Sequence, residues 1–477
     1  MSFYWYDYET WGATPSRDRP CQFAGLRTDA DLNEIGEPLV LFCRPADDIL
    51  PSPDACLVTG ITPQHALREG LPEAEFAQVI QQQLSAPGTC SVGYNSLRFD
   101  DEVSRHLFYR NLLDPYAHGW QGGNSRWDLI DALRLAHALR PDGIQWPERE
   151  PGVTSFKLEH LTAANAIPHA GAHDALADVR ATLALARLLK RVQPRLFSYA
   201  LSLCEKAKVR ELLDSGEPLL HVSQRYPASQ GCIAPIAVVA PHPRNPGAVL
   251  CFDLRQDPAL LFALPVDEIR TRLFARADAL PEGVARIPVK GIKVNASPML
   301  APMKTLSPEA AKRWAIDPTL VAQHARRLAG HEAALAAKLD EVFRHEERAE
   351  PTDPDLMLYS GGFFSDPDRR TMQRLRTLTP QVLADEHPRF EDPRLPTLLF
   401  RMRARSWPET LSDGEREDWD AWRFERLTDP DAGGSLTIDT YEQRIAELRQ
   451  SRADDAAALA VLDALEQWGE QVMDAAV

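Results

Sequence analysis

Aromatic residues fill positions 3–6 and 8, and two acids, Asp7 and Glu9, alternate into the end of that run. Aromatic side chains favour an extended chain in a packed sheet, so residues 3–8 predict a strand. Strand side chains repeat every two residues, which puts both carboxylates on one face, side by side. The apolar runs at 21–28 and 38–43 read as two more strands, with the polar stretch 29–36 as a hairpin turn between them. Residues 73–84 predict a helix, and 89–94 a short buried strand ending at Gly93-Tyr94-Asn95. Apolar residues recur at helical spacing over 99–111, 127–139, 156–164 and 174–190. Strands followed by alternating helix and strand make an α/β domain with a mixed sheet, ending near Arg191.

Beyond Pro194 the pattern changes. One helix is expected up to Leu213. Short apolar runs punctuated by proline come next, at 219–222, 233–239, 248–252 and 287–290, suggesting a small barrel or sandwich. Helical spacing returns over 308–348. The stretch Glu350-Pro-Thr-Asp-Pro-Asp355 reads as a linker, and the chain beyond it is mostly helical, with turn signals at 429–434.

A chain of 477 residues exceeds one ordinary core and predicts two to four domains. With 44% hydrophobic and 26% charged residues it has the make-up of a globular protein. No apolar run approaches the length of a membrane span, and the chain enters a strand pattern at once, so no membrane association, no signal peptide and a cytoplasmic location are expected. The seven cysteines are scattered without a Cys-x-x-Cys pair, which argues for reduced, mostly buried thiols. The net charge of −16 is unevenly spread: residues 407–477 carry eighteen acids against six arginines and no lysine. The acidity therefore belongs mainly to the C-terminal segment and leaves room for a phosphate-binding groove elsewhere.

Asp7 and Glu9 repel each other, and a fold gains nothing from the pair unless a cation lies between them. Taken alone, a solvated strand end accounts for them as well as a metal site does. Two more acidic sites sit at element ends. Asp100 lies in Asn95-Ser-Leu-Arg-Phe-Asp-Asp-Glu102 at a helix start, and His173-Asp-Ala-Leu-Ala-Asp178 opens the last helix of the domain. Each acid singly fits ordinary helix N-terminal stabilisation.

Together these motifs resemble the DEDD family of 3′→5′ exonucleases, in the subclass with a catalytic histidine. Asp7-Tyr-Glu9 is similar to its first motif, Asp100 to its second, and His173 with Asp178 to its third. Asp7-Tyr-Glu-Thr-Trp-Gly12, Arg19-Pro-Cys-Gln-Phe-Ala24, Gly60-Ile-Thr-Pro63, Arg98-Phe-Asp-Asp-Glu-Val103, Phe108-Tyr-Arg-Asn111 and Asn124-Ser-Arg-Trp-Asp-Leu129 narrow the likeness to the bacterial exonuclease I family. So do Leu358-Tyr-Ser-Gly-Gly-Phe-Phe-Ser-Asp366 and Phe400-Arg-Met-Arg-Ala-Arg405. The resemblance implies an RNase H-like exonuclease domain at 1–192, an SH3-like β-barrel domain with flanking helices at 193–349, and an α-helical C-terminal domain at 350–477.

It also implies a monomeric enzyme of DNA repair and recombination that degrades single-stranded DNA processively from the 3′ end to 5′-mononucleotides. Phosphodiester hydrolysis piles negative charge on the phosphoryl group, which two Mg²⁺ ions roughly 4 Å apart neutralise. Mg²⁺ takes oxygen ligands and keeps several waters, so a few carboxylates suffice. Asp7 would bridge both ions, Glu9, Asp100 and Asp178 would complete the shells, and His173 would be the general base. Glu9, Lys157, Arg105, Tyr116, Trp120, Arg134, Arg140 and Lys206 match positions that contact the strand. Lys157 stands where the family has arginine, which keeps the charge and loses the bidentate fork. Solvated helix faces account equally for Arg134 and Arg140, and a core position for Trp120. Arg140 and Tyr199 match positions that bind the acidic C-terminal tail of single-stranded DNA-binding protein; a surface arginine near a packed tyrosine accounts for them as well. Two other functions fit parts of the pattern: an RNA-directed DEDD exonuclease, and a non-hydrolytic single-strand-binding scaffold.

Overall fold

A computed structural model describes residues 1–477 except 170, 172, 277–278, 345–349 and 475–477. The opening aromatic run forms strand β1, Ser2–Thr10. β2 is Pro20–Thr28, β3 is Glu34–Phe42 and β4 is Thr89–Gly93. β1 is antiparallel to β2 and parallel to β4, with β3 outside β2, so the sheet is mixed as the sequence predicts.

The chain groups into two compact units, one of Met1–Ser125, His169–Arg180 and Ala349–Val477, the other of Arg126–Pro168 and Ala181–Arg348. In the first, Tyr4, Tyr6 and Tyr8 on one face of β1 join Phe23, Phe76, Ile80, Leu107 and Phe108 in one core. Phe76 and Ile80 come from the helix Glu73–Leu84, Leu107 and Phe108 from Asp100–Arg110. A second core in this unit joins Trp11, Cys21 and Leu50 to Tyr441, Ile445, Leu462 and Trp468 of the helices Ile438–Ser451 and Ala456–Asp474. The acidic C-terminal segment thus packs against Trp11, just past the strand that carries Asp7 and Glu9, and against Cys21 of β2.

In the second unit five strands form one antiparallel sheet, in the order Val289–Lys293, Ala248–Asp253, Ile233–Pro241, Leu219–Val222, Met299–Pro302. The helix Leu129–Leu139 belongs to this unit, where Trp314 Nε1 donates to the Ala138 carbonyl at 2.9 Å.

Four expectations change. The helix expected over 194–213 is two, Pro194–Ser202 and Lys206–Leu213, parted at Leu203-Cys-Glu205. The barrel region also holds the helices Ala259–Ala263 and Val266–Phe274, each coming after a proline that suits a helix start. The helical stretch 308–348 is three helices, Pro308–Arg313, Pro318–Leu328 and Glu332–Phe343, and its last four residues lie outside the described residues. The linker expected at 350–355 is tethered rather than loose: Asp353 and Asp355 pair with Arg401 and Arg405 on the helix Arg394–Ser406, and Asp355 is buried. Proline and acid composition reads as a linker, but distant arginines give those acids partners.

Among the described residues no helix is long and apolar enough to cross a membrane. Among the described residues no disulfide joins two cysteines, and six of the seven cysteines are buried.

Candidate active site

Asp7 and Glu9 emerge half-buried where β1 leaves the core, opposite Ala24 and Gln22 of β2. Asp100 reaches them through a tight passage. β4 stops at Gly93, where a Cβ would come 2.5 Å from that of Ser96. Asn95 then takes a left-handed φ of 64°, and the chain turns into the helix Asp100–Arg110. Tyr8 N–H donates to the Asp100 carboxylate at 3.0 Å, and the Ser104 hydroxyl donates to the Tyr8 hydroxyl at 3.0 Å. The helix is therefore fixed to β1 at two points.

The third segment enters from the start of the helix Ala175–Val192. The Gln22 side chain donates to Asp174 Oδ1 at 3.1 Å and accepts from Ala175 N–H at 3.2 Å. Because Gln22 pairs with Glu9, this clamp pins the helix start beside the acidic floor. The preceding loop turns through Gly171 at φ 84° and His173 at φ 69°, a left-handed position that a histidine adopts at a cost in strain. One ligand atom each from Glu9, His173 and Asp178 lie within 4.8 Å of one another.

The electrostatics of the cluster are unfavourable without a cation. Burial first, then the charges of Asp100, Glu9, Asp178 and Asp174, hold the Asp7 carboxyl well above the usual carboxylate range. Burial, with Asp178, Asp100 and Asp174, pushes Glu9 up to about 8. Burial also raises Asp178, opposed by its hydrogen bond from His169 and by His173. Carboxylate oxygens drawn together at this energetic cost are the donor set that a hard divalent cation takes, so the residues present fit such an ion.

The remaining expected residues fall in varied surroundings. In the first unit Arg105 is 3.0 Å from Asp101 and 3.2 Å from Glu102, and donates to the Tyr359 hydroxyl at 3.1 Å. Its guanidinium lies 5.6 Å from the centre of the Tyr116 ring. Trp120 is 61% exposed, which removes the core reading. In the second unit Lys157 is exposed, 3.4 Å from Glu159. Arg134 is buried, paired with Asp131 at 2.7 Å over the Phe156 ring, and so is no solvated helix face. Exposed Arg140 donates to the Thr305 carbonyl at 3.1 Å, the Tyr199 hydroxyl donates to the Leu300 carbonyl at 2.8 Å, and Lys206 is exposed at the first turn of its helix.

Sequence reasoning missed three features. His169 and Gln22 carry no recognisable local pattern, since their partners are set by folding. The third is an aromatic patch in the first unit. Phe363 is 83% exposed, edge-on to Tyr116 at 5.7 Å, while Phe364 stacks on Tyr109 at 5.9 Å. Arg394 braces the loop beneath: its guanidinium lies 4.6 Å from the Phe364 ring centre and donates to the carbonyls of Met357, Gly361 and Gly362. Gly361 is required there, because a Cβ would fall 2.1 Å from Arg394 Nη1. A glycine pair flanked by Tyr359, Phe363 and Phe364 was the available signal.

Three family descriptions match the chain: Exonuclease over residues 4–186, Exonuclease I SH3-like domain over 204–345, and Exonuclease I C-terminal domain over 352–472. Exodeoxyribonuclease I of Escherichia coli (strain K12) is 44% identical over 478 residues, spanning 99% of this chain and 98% of the relative. Exodeoxyribonuclease I of Haemophilus influenzae is 41% identical over 477 residues, spanning 99% of each. Among solved structures, a moderately thermophilic Exonuclease I from Methylocaldum szegediense superposes with a TM-score of 0.94 at 49% identity, covering 99% of both chains. E. coli Exonuclease I in complex with a dA16 oligonucleotide gives 0.94 at 43% identity, covering 99% of this chain and 100% of that one. A zinc-ion-bound E. coli ExoI–ssDNA complex gives 0.93 at 42% identity, covering 99% of both.

Proposed function

This chain belongs to the exonuclease I family, and we propose from that premise that it is a single-strand-specific 3′→5′ exodeoxyribonuclease. The observation that carries the reading is the convergence of Asp7, Glu9, Asp100, Asp178 and His173, from three remote stretches of chain, on one acidic cleft. Relatives solved with DNA oligonucleotides support single-stranded DNA as the substrate. The domains are 1–192, 193–349 and 350–477, a division supported by the three matched families.

The residues present suit a pair of Mg²⁺ ions, which Asp7, Glu9, Asp100 and Asp178 would hold, with Asp7 the ligand common to both. When bound, the ions neutralise charge building on the phosphoryl oxygens and favour ionisation of the attacking water. The chain's own residues do the rest. The carboxylates would fix the cations against which the scissile phosphate rests, and Tyr8 and Gln22 keep two of the three segments in place. A ring nitrogen of His173, exposed above Glu9 and Asp178, accepts the proton of the attacking water. Lys157 and the other basic positions hold phosphates, although Arg105 and Arg134 already spend charge on neighbouring acids. Tyr116, Trp120 and Phe363 offer stacking faces that accept any base.

The enzyme acts as a cytoplasmic monomer and binds the acidic tail of single-stranded DNA-binding protein. Support for that partner comes from the apolar groove of Leu306, Pro308, Ala311 and Ile316, which Lys312 and Asp317 also line and which begins one residue after the carbonyl bonded by Arg140. A basic rim beside an apolar groove suits an acidic peptide with a hydrophobic end.

The deciding experiment uses Asp7→Ala on 5′-labelled single-stranded DNA, duplex DNA and RNA with Mg²⁺. Wild-type protein ladders the single-stranded DNA and is silenced by EDTA; the variant binds the strand and does not cut it. Wild-type hydrolysis by the variant would sink the mechanism. Wild-type binding without EDTA-sensitive cleavage would leave a scaffold, and laddering of RNA alone an RNA-directed nuclease.

A further inference from the structure

Asp178 is served by two histidines in opposite settings. His173 is exposed and shares the cleft with Glu9 and Asp178. His169, nine residues before Asp178, has a side chain only 5% exposed, and its Nε2 lies 2.5 Å from Asp178 Oδ1. Gly171 and His173 both take left-handed φ values, and ring nitrogens of both His169 and His173 lie near the one carboxylate. A covered ring cannot meet substrate. It can fix a carboxylate oxygen: Asp178, on the first turn of its helix, takes a side-chain hydrogen bond from His169 and a backbone hydrogen bond from His173, and of the two only the first comes from a covered ring.

We propose that His169 is a positioning residue for Asp178: its ring N–H fixes one carboxylate oxygen and so presents the other toward Glu9 and His173 for a divalent cation. This rests on the nuclease reading, in which Asp178 is a ligand. The hydrogen bond does for a carboxylate ligand what outer-shell partners do at metal sites generally, and loss of such partners costs roughly 10–100-fold in metal affinity. The geometry requires the tautomer with hydrogen on Nε2, because the carboxylate oxygen is the acceptor. Gln22 anchors the same loop independently, through Asp174 and the Ala175 amide, so the loop keeps an attachment when His169 is changed.

The test titrates the full-length protein, without DNA, with Mn²⁺ alone, monitored by calorimetry and by the rise in thermal midpoint. His169→Phe fills the space without a donor, His169→Ala removes both, and His169→Gln restores an N–H at the reach of Nε2. Affinity is expected to fall about 10–100-fold in the alanine and phenylalanine variants and to return to within several-fold of wild type in the glutamine variant. Unchanged affinity in alanine and phenylalanine, or a glutamine variant no better than phenylalanine, overturns the proposal. Wild-type protein that takes up no Mn²⁺ overturns the metal-site reading and this proposal with it. Wild-type uptake with indifferent variants overturns this proposal alone.

Discussion

Asp7 illustrates the conflict between stability and chemistry in a single side chain. Its carboxyl is held far above the usual range by burial and by four neighbouring acids, so an ionised Asp7 strains the metal-free fold. Replacing it by asparagine keeps the shape and removes the charge. The variant is expected to be more stable than wild type in EDTA at neutral pH, by on the order of 1–2 kcal/mol, and to lose most of the Mg²⁺-dependent rise in thermal midpoint. Differential scanning calorimetry with and without Mg²⁺ checks both halves. At the aromatic patch, Phe363→Ala removes a nearly naked ring that no core needs. Folding stability should hold while the dissociation constant for a single-stranded oligonucleotide rises by about 5–150-fold, the equivalent of 1–3 kcal/mol for one stacked base.

Elements matter here chiefly for how they are joined. The helix Asp100–Arg110 owes its place to Tyr8, whose backbone N–H donates to Asp100 and whose hydroxyl accepts from Ser104. The loop after Leu358 owes its shape to Arg394, which spans the carbonyls of Met357, Gly361 and Gly362. Gly361→Ala would drive a methyl into that guanidinium, so about 1–3 kcal/mol of stability should be lost and oligonucleotide binding should weaken alongside. Binding that stays at wild-type strength while stability drops would mean the loop does not present Phe363 to the strand.

At the scale of the first unit, a buried ionic network ties the strand segment to the C-terminal helices. Asp48 takes a bidentate bond from Arg19, at 2.8 and 2.6 Å, and a further ion pair from Arg405 at 3.0 Å; Arg405 and Arg401 also hold Asp355. Burial pushes the Asp48 carboxyl up, but Arg19, Arg405 and Arg426 more than reverse it and hold it below the usual range. Asp355 is depressed likewise by Arg405 and Arg401 against its own burial. A carboxylate with a depressed folded-state pKa contributes stability that is complete above its unfolded value near 4 and is lost as pH falls through the folded value. Thermal midpoints should therefore fall steeply below about pH 4. Asp48→Asn leaves three guanidiniums short of a charge, so it should cost about 3–5 kcal/mol at pH 7. The deficit against wild type should narrow as pH drops below 4; a deficit independent of pH would separate Asp48 from the acid response.

Local pattern alone determined much of this protein. Aromatic alternation gave β1 and the shared face of Asp7 and Glu9, and apolar spacing gave the helix at 73–84 residue for residue, because period and propensity act over a few neighbours. The motifs around Asp100, His173 and Asp178 were legible too, since each sits at an element end that sequence marks. The tertiary structure alone decided which groups these acids meet. His169 and Gln22 acquire their meaning from partners 9 and 152 residues away, and Asp355 ceases to be a linker residue because Arg405, 50 residues on, is buried beside it. Coulomb and hydrogen-bond energies depend on distance in space, and a sequence records distance along the chain.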